Sequence, residues 1–333
     1  MGFSLKVEKF REHLAENKID EKRIEDYIGK LLEYQEYLKK QKQTIETVNV
    51  NELVNYTEFL VTQDKDSVLE FIRALLNYAH FAKRNDFVEA IWDIAESYNA
   101  MDNLFARIDE WHSEATRDEI LEGLTIPPLG IHPEKKPKFT KIALKRVEEI
   151  LGEDKLIALL KPCLHQGLGG DMDKDRKDYH KLGIDAFLEK KRKDRIKEFE
   201  KHRDDGTPAF AQIVDDDVVE YVKNNPTSGL GKREGNILYV SKNPYQIKKS
   251  LETDDLRKKR FYACFCPWVR GAIKDGSEHE VSKHFCQCSG GWYKDYYEQL
   301  FEQPIKIEPY ETALSGYPYC KFVVHLPENV IIK

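Results

Sequence analysis

Several things are missing from this sequence. No stretch approaches the roughly 18–20 apolar residues of a membrane span, and Met1–Lys6 carries no apolar core of a secretory signal. Lys6 stands where a myristoylation signal requires Ser or Thr. Span, leader and lipid anchor are therefore not expected, and the chain reads as cytoplasmic. A cationic surplus is missing too: 53 basic residues face 59 acidic ones, a formal charge of −6. That balance argues against a nucleic-acid binder driven by bulk electrostatics. The N-terminal part has no cysteine before Cys163, no proline before Pro127 and no glycine between Gly29 and Gly123. Metal knuckles are excluded there, and helices have little to interrupt them. No internal repeat or low-complexity segment is present.

What is present fills two domains, at roughly 150 residues each, from 333 residues. Phe10, Leu14, Ile24, Tyr27, Ile28, Leu31, Tyr34 and Leu38 recur at helical spacing, and Leu69, Ile72, Leu75, Leu76 and Ala79 repeat the pattern. Asp20, Asn51 and either Asp66 or Ser67 are expected as N-caps. The runs are too broken for a coiled coil and predict an orthogonal helical bundle over 1–118. Four prolines and two glycines within 122–138 mark a linker, 119–138, before a second domain, 139–333.

The segments FREHLAENKIDEKRIEDYIGKLLEYQEYL, NVNELVNYTEFL and VLEFIRALLNYAHFAKRN resemble the SAM-like core-binding domain of tyrosine recombinases. The recombinase mechanism also needs a downstream His-x-x-Arg, and none of the ten histidines has Arg at +3. Strand cleavage is therefore excluded, and duplex DNA is not an expected partner. A DNA-associated regulator using the bundle stays as a third reading of the whole protein.

Beyond the linker, helices are expected over Phe139–Leu151, Lys155–Leu160 and Ile184–His202. The last carries Lys190, Lys191, Arg192, Lys193, Arg195, Lys197 and Lys201, interleaved with Asp194, Glu198 and Glu200. This pattern describes a solvated helix laced with short-range ion pairs. Strands are predicted at Asn236–Lys242, Phe261–Cys266 and Lys283–Cys288, a helix at Trp292–Phe301, and an antiparallel pair at Ile305–Tyr310 and Tyr319–Leu326. The second domain is thus α+β, a small, mostly antiparallel sheet covered by helices, and the chain is α+β overall.

Two Cys-x-Cys pairs, Cys264/Cys266 and Cys286/Cys288, carry the chemistry. On extended strands each pair shares one face, with His284 beside the second, while Ser289-Gly-Gly lets the chain turn into the following helix. With Cys320 they form a ligand set for zinc at about 2.3 Å per sulfur. An iron–sulfur cluster is the alternative. Cys163 and His165, in KPCLHQGLGGDMD, are a candidate nucleophile and base or further ligands. The Gly-Leu-Gly-Gly that follows lacks the Lys-Ser/Thr of a phosphate loop, and GDMDKDRKD lacks the Gly and Glu of a calcium loop; a capped turn is expected instead. Trp292, Tyr293, Tyr296 and Tyr297 are candidates to line an aromatic pocket. His325 is expected on the sheet surface.

The segment FCQCSGGWYKDYYEQLFEQPIKIEPYETALSGYPYCKFVVHLP, with YACFCPW upstream, resembles the vinyl-reductase-type small-molecule-binding domain. That superfamily includes bacteriochlorophyll-synthesis accessory proteins and phenol-sensing domains of transcription activators. The matching positions are Cys286 or Cys288, Glu308 or Glu311, Gly316, and Cys320-Lys321-Phe322. The resemblance implies a structural zinc on three cysteines and a glutamate, but the additional cysteine expected near Thr312 is absent, and Cys264 or Cys266 is the expected replacement. The implied function is binding of a small apolar or aromatic metabolite, as a sensor or cofactor-pathway accessory; a homodimer is compatible with it. The rival is a metal- or thiol-dependent hydrolase of a small thio or amide compound, after the superfamily branch associated with aminothiazoline carboxylate hydrolysis.

Overall fold

A computed structural model describes residues 6–165 and 171–333. With 63% helix and 7% strand it is an α+β fold dominated by helices. Two compact units divide it. The first comprises 1–98, 127–133 and 210–212, and the second takes the rest.

The first unit is built from α1 (Val7–Glu16), α2 (Glu21–Lys40), α3 (Val50–Gln63), α4 (Ser67–Phe81) and α5 (Asn85–Ala95). Phe10, Leu14, Leu31, Tyr34, Phe71, Leu75 and Phe87 are fully buried in its core. Asp20 caps α2 by accepting from Arg23 N at 3.0 Å. The cap of α3 is Asn49 rather than Asn51. The extended backbone of Asn49 turns its side-chain oxygen onto Asn51 N (2.9 Å) and Glu52 N (3.2 Å). Asp66 precedes α4 without a capping bond. Arg84 holds the α2–α3 connection through the carbonyls of Ile45 (3.0 Å), Glu46 (3.0 Å) and Val48 (2.7 Å).

The proline-rich stretch is not a free tether. Pro127–Pro133 belongs to the first unit, where Thr57 Oγ1 donates to Gly130 O at 2.9 Å. Gly130 has φ +100°, and a Cβ there would meet Val61 Cγ2 at 2.9 Å. The boundary near 118 also moves, because α6 (Ala100–Trp111) and α7 (Glu114–Leu121) join the second unit. Leu104, Phe105 and Ile108 of α6 share a core with Phe139, Leu144 and Trp268. Helical periodicity marks which face of a helix is buried but not which core receives it.

The second unit continues with α8 (Lys136–Leu151), α9 (Glu153–Leu160), α10 (Met172–Leu182), α11 (Ile184–Asp205), α12 (Asp216–Asn224), α13 (Ile247–Leu251), α14 (Leu256–Ala263), α15 (Pro267–Asp275) and α16 (Gln287–Phe301). Its sheet has β1 (Lys232–Glu234), β2 (Ile237–Ser241), β3 (Lys306–Glu311) and β4 (Lys321–His325), in the antiparallel order β1-β2-β4-β3. Leu238, Val240, Ile307, Phe322 and Val324 form its buried face, against Tyr293, Tyr296, Tyr297 and Leu300 of α16. The basic helix α11 is laced as its charges predict, with Arg195 paired to Glu198 (3.0 Å) and Lys193 to Glu189 (3.6 Å), while Lys191 reaches across to Asp175 of α10 (2.8 Å). Asp171 caps α10 by accepting from Lys174 N at 3.0 Å. The glycine run before it lies outside the described residues. Among the described residues no helix is long and apolar enough to cross a membrane.

Candidate metal centre

The two cysteine pairs do not lie on strands. Asp255 caps α14 by accepting from Arg257 N (2.9 Å) and Lys258 N (3.2 Å), so Phe261–Ala263 are helical. Pro267 then opens α15, the first-turn position that suits its missing N–H. Only the connection is extended, with ψ 121° at Cys264 and 110° at Cys266. Lys283–Cys286 forms a 3₁₀ turn that runs into α16. Gly290 and Gly291, expected as a turn, sit inside that helix. Strand propensity gave way at both places to helix caps and to close packing.

This correction changes where the thiols point. Residues two apart on a helix are rotated by about 200°, so Cys286 and Cys288 diverge. Cys288 faces the loop after α9, where Cys163, His165 and Cys288 bring one donor atom each within 4.8 Å of one another. No other such group of three occurs among the described residues. Backbone amides line it: Leu164 N donates to Cys288 Sγ (3.3 Å) and His165 N to Cys163 Sγ (3.4 Å).

Residues outside the sequence expectations hold this loop in place. Arg107 on α6 donates to Pro162 O (3.0 Å) and Cys163 O (3.2 Å), and Asn103 to Leu164 O (2.7 Å). Gly291 lets α16 approach. A Cβ there would overlap Lys161 O and stand 2.6 Å from Cys163 N. Spacing signalled neither contact, because both join segments remote in sequence. Gly291 alone left a trace, as a glycine inside an amphipathic helical pattern.

Electrostatics divide the roles within the trio. The hydrogen bond with Cys288 draws the Cys163 thiol below its ordinary value against burial, helped by His165 N–H and the Lys242 charge. The same bond, with burial, pushes Cys288 well up. Burial, then Lys242, lowers His165 to about 4, so at neutral pH its ring is uncharged and can offer a lone pair. Two soft sulfurs and an imidazole suit zinc.

Cys264, Cys266, Cys286 and Cys320 pack against the same core as the trio. Burial raises Cys264 to about 11, and it also raises Cys286 and Cys320. No three of these four sulfurs lie within 4.8 Å of one another, nor does Cys288 join them to make such a group. None of the six cysteines is in a disulfide.

The glutamates named by the family resemblance are occupied elsewhere. Glu308 pairs with Lys306 (3.1 Å) and His325 (2.9 Å), and Glu311 with Lys321 (2.7 Å). His284 pairs with Glu153 at 2.7 Å. Tyr293 packs on Phe322 at 5.4 Å, Tyr296 donates to Asp175 Oδ2 at 2.7 Å, and Tyr297 donates to Leu230 O. These three tyrosines form core, and Trp292 is half-buried beside Tyr293.

No family model, curated protein or solved structure matches the chain. The chemistry of the site therefore rests on its own atoms.

Proposed function

We propose that this chain is a zinc-dependent small-molecule-binding protein whose ion is held by Cys163, His165 and Cys288. One observation carries the reading: those three donors converge within 4.8 Å from segments more than a hundred residues apart. A closed structural zinc site takes four protein ligands, whereas three leave a position for water or a small molecule. Bound there, zinc would supply Lewis acidity. The protein's own part is to orient the donors, through Arg107, Asn103 and the amides of Leu164 and His165.

The three-donor count also favours a second reading, hydrolysis of a small thio or amide compound, since three ligands plus water is the catalytic arrangement. Elemental analysis of protein purified without added metal tests the shared premise. About one zinc per chain is expected at this site, lost in His165→Ala and in Cys288→Ser. Cobalt put in place of zinc should give thiolate charge-transfer bands that change when a small exogenous ligand is added. Full zinc retention in His165→Ala overturns both readings. Chelator-sensitive turnover of a thio or amide compound separates the second from the first.

A further inference from the structure

Two of the three donors of the trio are thiols, and these two can react with each other. Cys163 Sγ and Cys288 Sγ lie within 4.8 Å, and neither is in a disulfide. Both sulfurs sit over one short turn of backbone. Leu164 N donates to Cys288 Sγ at 3.3 Å, and His165 N to Cys163 Sγ at 3.4 Å. The chain segments behind the sulfurs also touch. Gly291 follows Cys288 by about one turn of α16, and a Cβ there would stand 2.6 Å from Cys163 N. A disulfide needs its two Cβ atoms about 3.5–4.5 Å apart, and the backbones that must approach for it are already in contact. Arg107 and Asn103 hold the carbonyls of Pro162, Cys163 and Leu164, so the turn keeps this placement. Access then orders the pair. Cys288 is 4% exposed, whereas Cys163 is half-buried on its loop and meets an incoming molecule first.

We infer that Cys163 and Cys288 are an oxidisable pair, closed to a disulfide by a small hydroperoxide, and that closure releases the ion of the trio. In the first step the Cys163 sulfur attacks one peroxide oxygen. An S–O bond forms, the O–O bond breaks, and the departing oxygen takes up a proton and leaves as water or an alcohol. Cys163 is thereby oxidised by two electrons to the sulfenic acid, and the peroxide is reduced. In the second step the Cys288 sulfur attacks the Cys163 sulfur. The S–S bond forms, the S–O bond breaks, and hydroxide leaves as water with the proton of the Cys288 thiol. A dithiol reductant returns both electrons by exchange through a mixed disulfide. Metal ligation needs thiolates, so the closed pair leaves His165 as the single donor of the trio. The release of the ion rests on the zinc reading above; the bond between the sulfurs does not.

The test treats the full, reduced chain with hydrogen peroxide, blocks remaining thiols with an alkylating reagent and maps the peptides by mass spectrometry. A Cys163–Cys288 link within one chain is expected, with the other cysteines alkylated and the link reversed by dithiothreitol. In Cys288→Ser the sulfenic acid on Cys163 should persist and be captured by a 1,3-diketone reagent. From the zinc-loaded chain, a chromogenic chelator should register about one zinc for each bond formed. Peroxide that pairs other cysteines while Cys163 and Cys288 stay unlinked overturns the inference. So does a link between two chains, or a wild-type Cys163 carried on to sulfinic acid. If Cys288→Ser fails to fold, the wild-type map decides alone. A link that closes in a chain unable to bind zinc overturns only the earlier reading. A chain that binds zinc, yet stays unlinked both with the metal and after it is stripped, overturns only this inference. Zinc that stays bound once the disulfide has closed overturns the release.

Discussion

Gly291 shows how much a single missing side chain can carry. The approach of α16 to the Cys163 loop leaves no room for a methyl group, and the obstructing atoms are backbone, which cannot swing aside. Gly291→Ala should therefore cost about 1–3 kcal/mol by overpacking and lower bound zinc along with thermal stability. Unfolding and metal content measured on one preparation would check this; stability that falls while zinc stays full contradicts the geometry. In the first unit, Asp86 meets Arg84 in a two-pronged contact at 2.7 and 2.8 Å. That bond holds the Asp86 carboxyl below its ordinary value. A depressed carboxylate stabilises the fold above its unfolded pKa of about 3.9, and this contribution is lost as pH falls through the lower folded value. With Asp86 half-exposed, Asp86→Asn should cost only about 0.5–1 kcal/mol at neutral pH, and the cost should vanish in acid. Urea unfolding of both proteins between pH 3 and 7 reads the difference.

At the scale of elements, α6 acts as a clamp. Arg107 donates to Leu159 O, which the end of α9 leaves open, and to Pro162 O and Cys163 O beyond it, and in doing so fixes the loop that carries Cys163 and His165. Arg107→Met keeps much of the side-chain volume but removes the donors. It should weaken zinc affinity several-fold, with a smaller effect on folding; competition against a chelator would show whether affinity and melting temperature separate in this way. The elements themselves were unevenly legible. Three of the four sheet strands and α16 could be read because apolar alternation and helical spacing are local, whereas the short charged β1 shows no such alternation. The cysteine segments could not, because YACFCPW and KHFCQC carry β-favouring residues while an aspartate cap, a proline at a helix start and packed glycines dictate helix. The chemistry was legible only at the level of residue type: all six cysteines pack on one core, and two of them, Cys163 and Cys288, converge with His165. Which of them converge was hidden, because it depends on Cys288 lying inside a helix, about 200° around the axis from Cys286.

For the molecule as a whole, the two units have different debts to metal. The first is closed by its own apolar core, with Phe10, Tyr34, Phe71 and Phe87 fully buried. The second gathers six thiols into a core shared by α6, α8, α9, α15 and α16. Chelation should therefore raise amide hydrogen exchange in 153–165 and 256–320 while leaving the helices of 7–95 as they were. Segment-resolved exchange by mass spectrometry would measure it, and equal loosening of both parts would refute it.

The sheet order also has a consequence for the way the protein is made. β4 lies between β2 and β3, yet it is the last of the four strands to be synthesised. β2 and β3 do not pair with each other, so on the ribosome each must wait for the strand that will join them. Cys320 arrives at the same moment, its carbonyl accepting from Lys242 N at 2.8 Å where β4 begins. Five cysteines have already emerged by then, and Cys320, the sixth, reaches the shared core only with this closing segment.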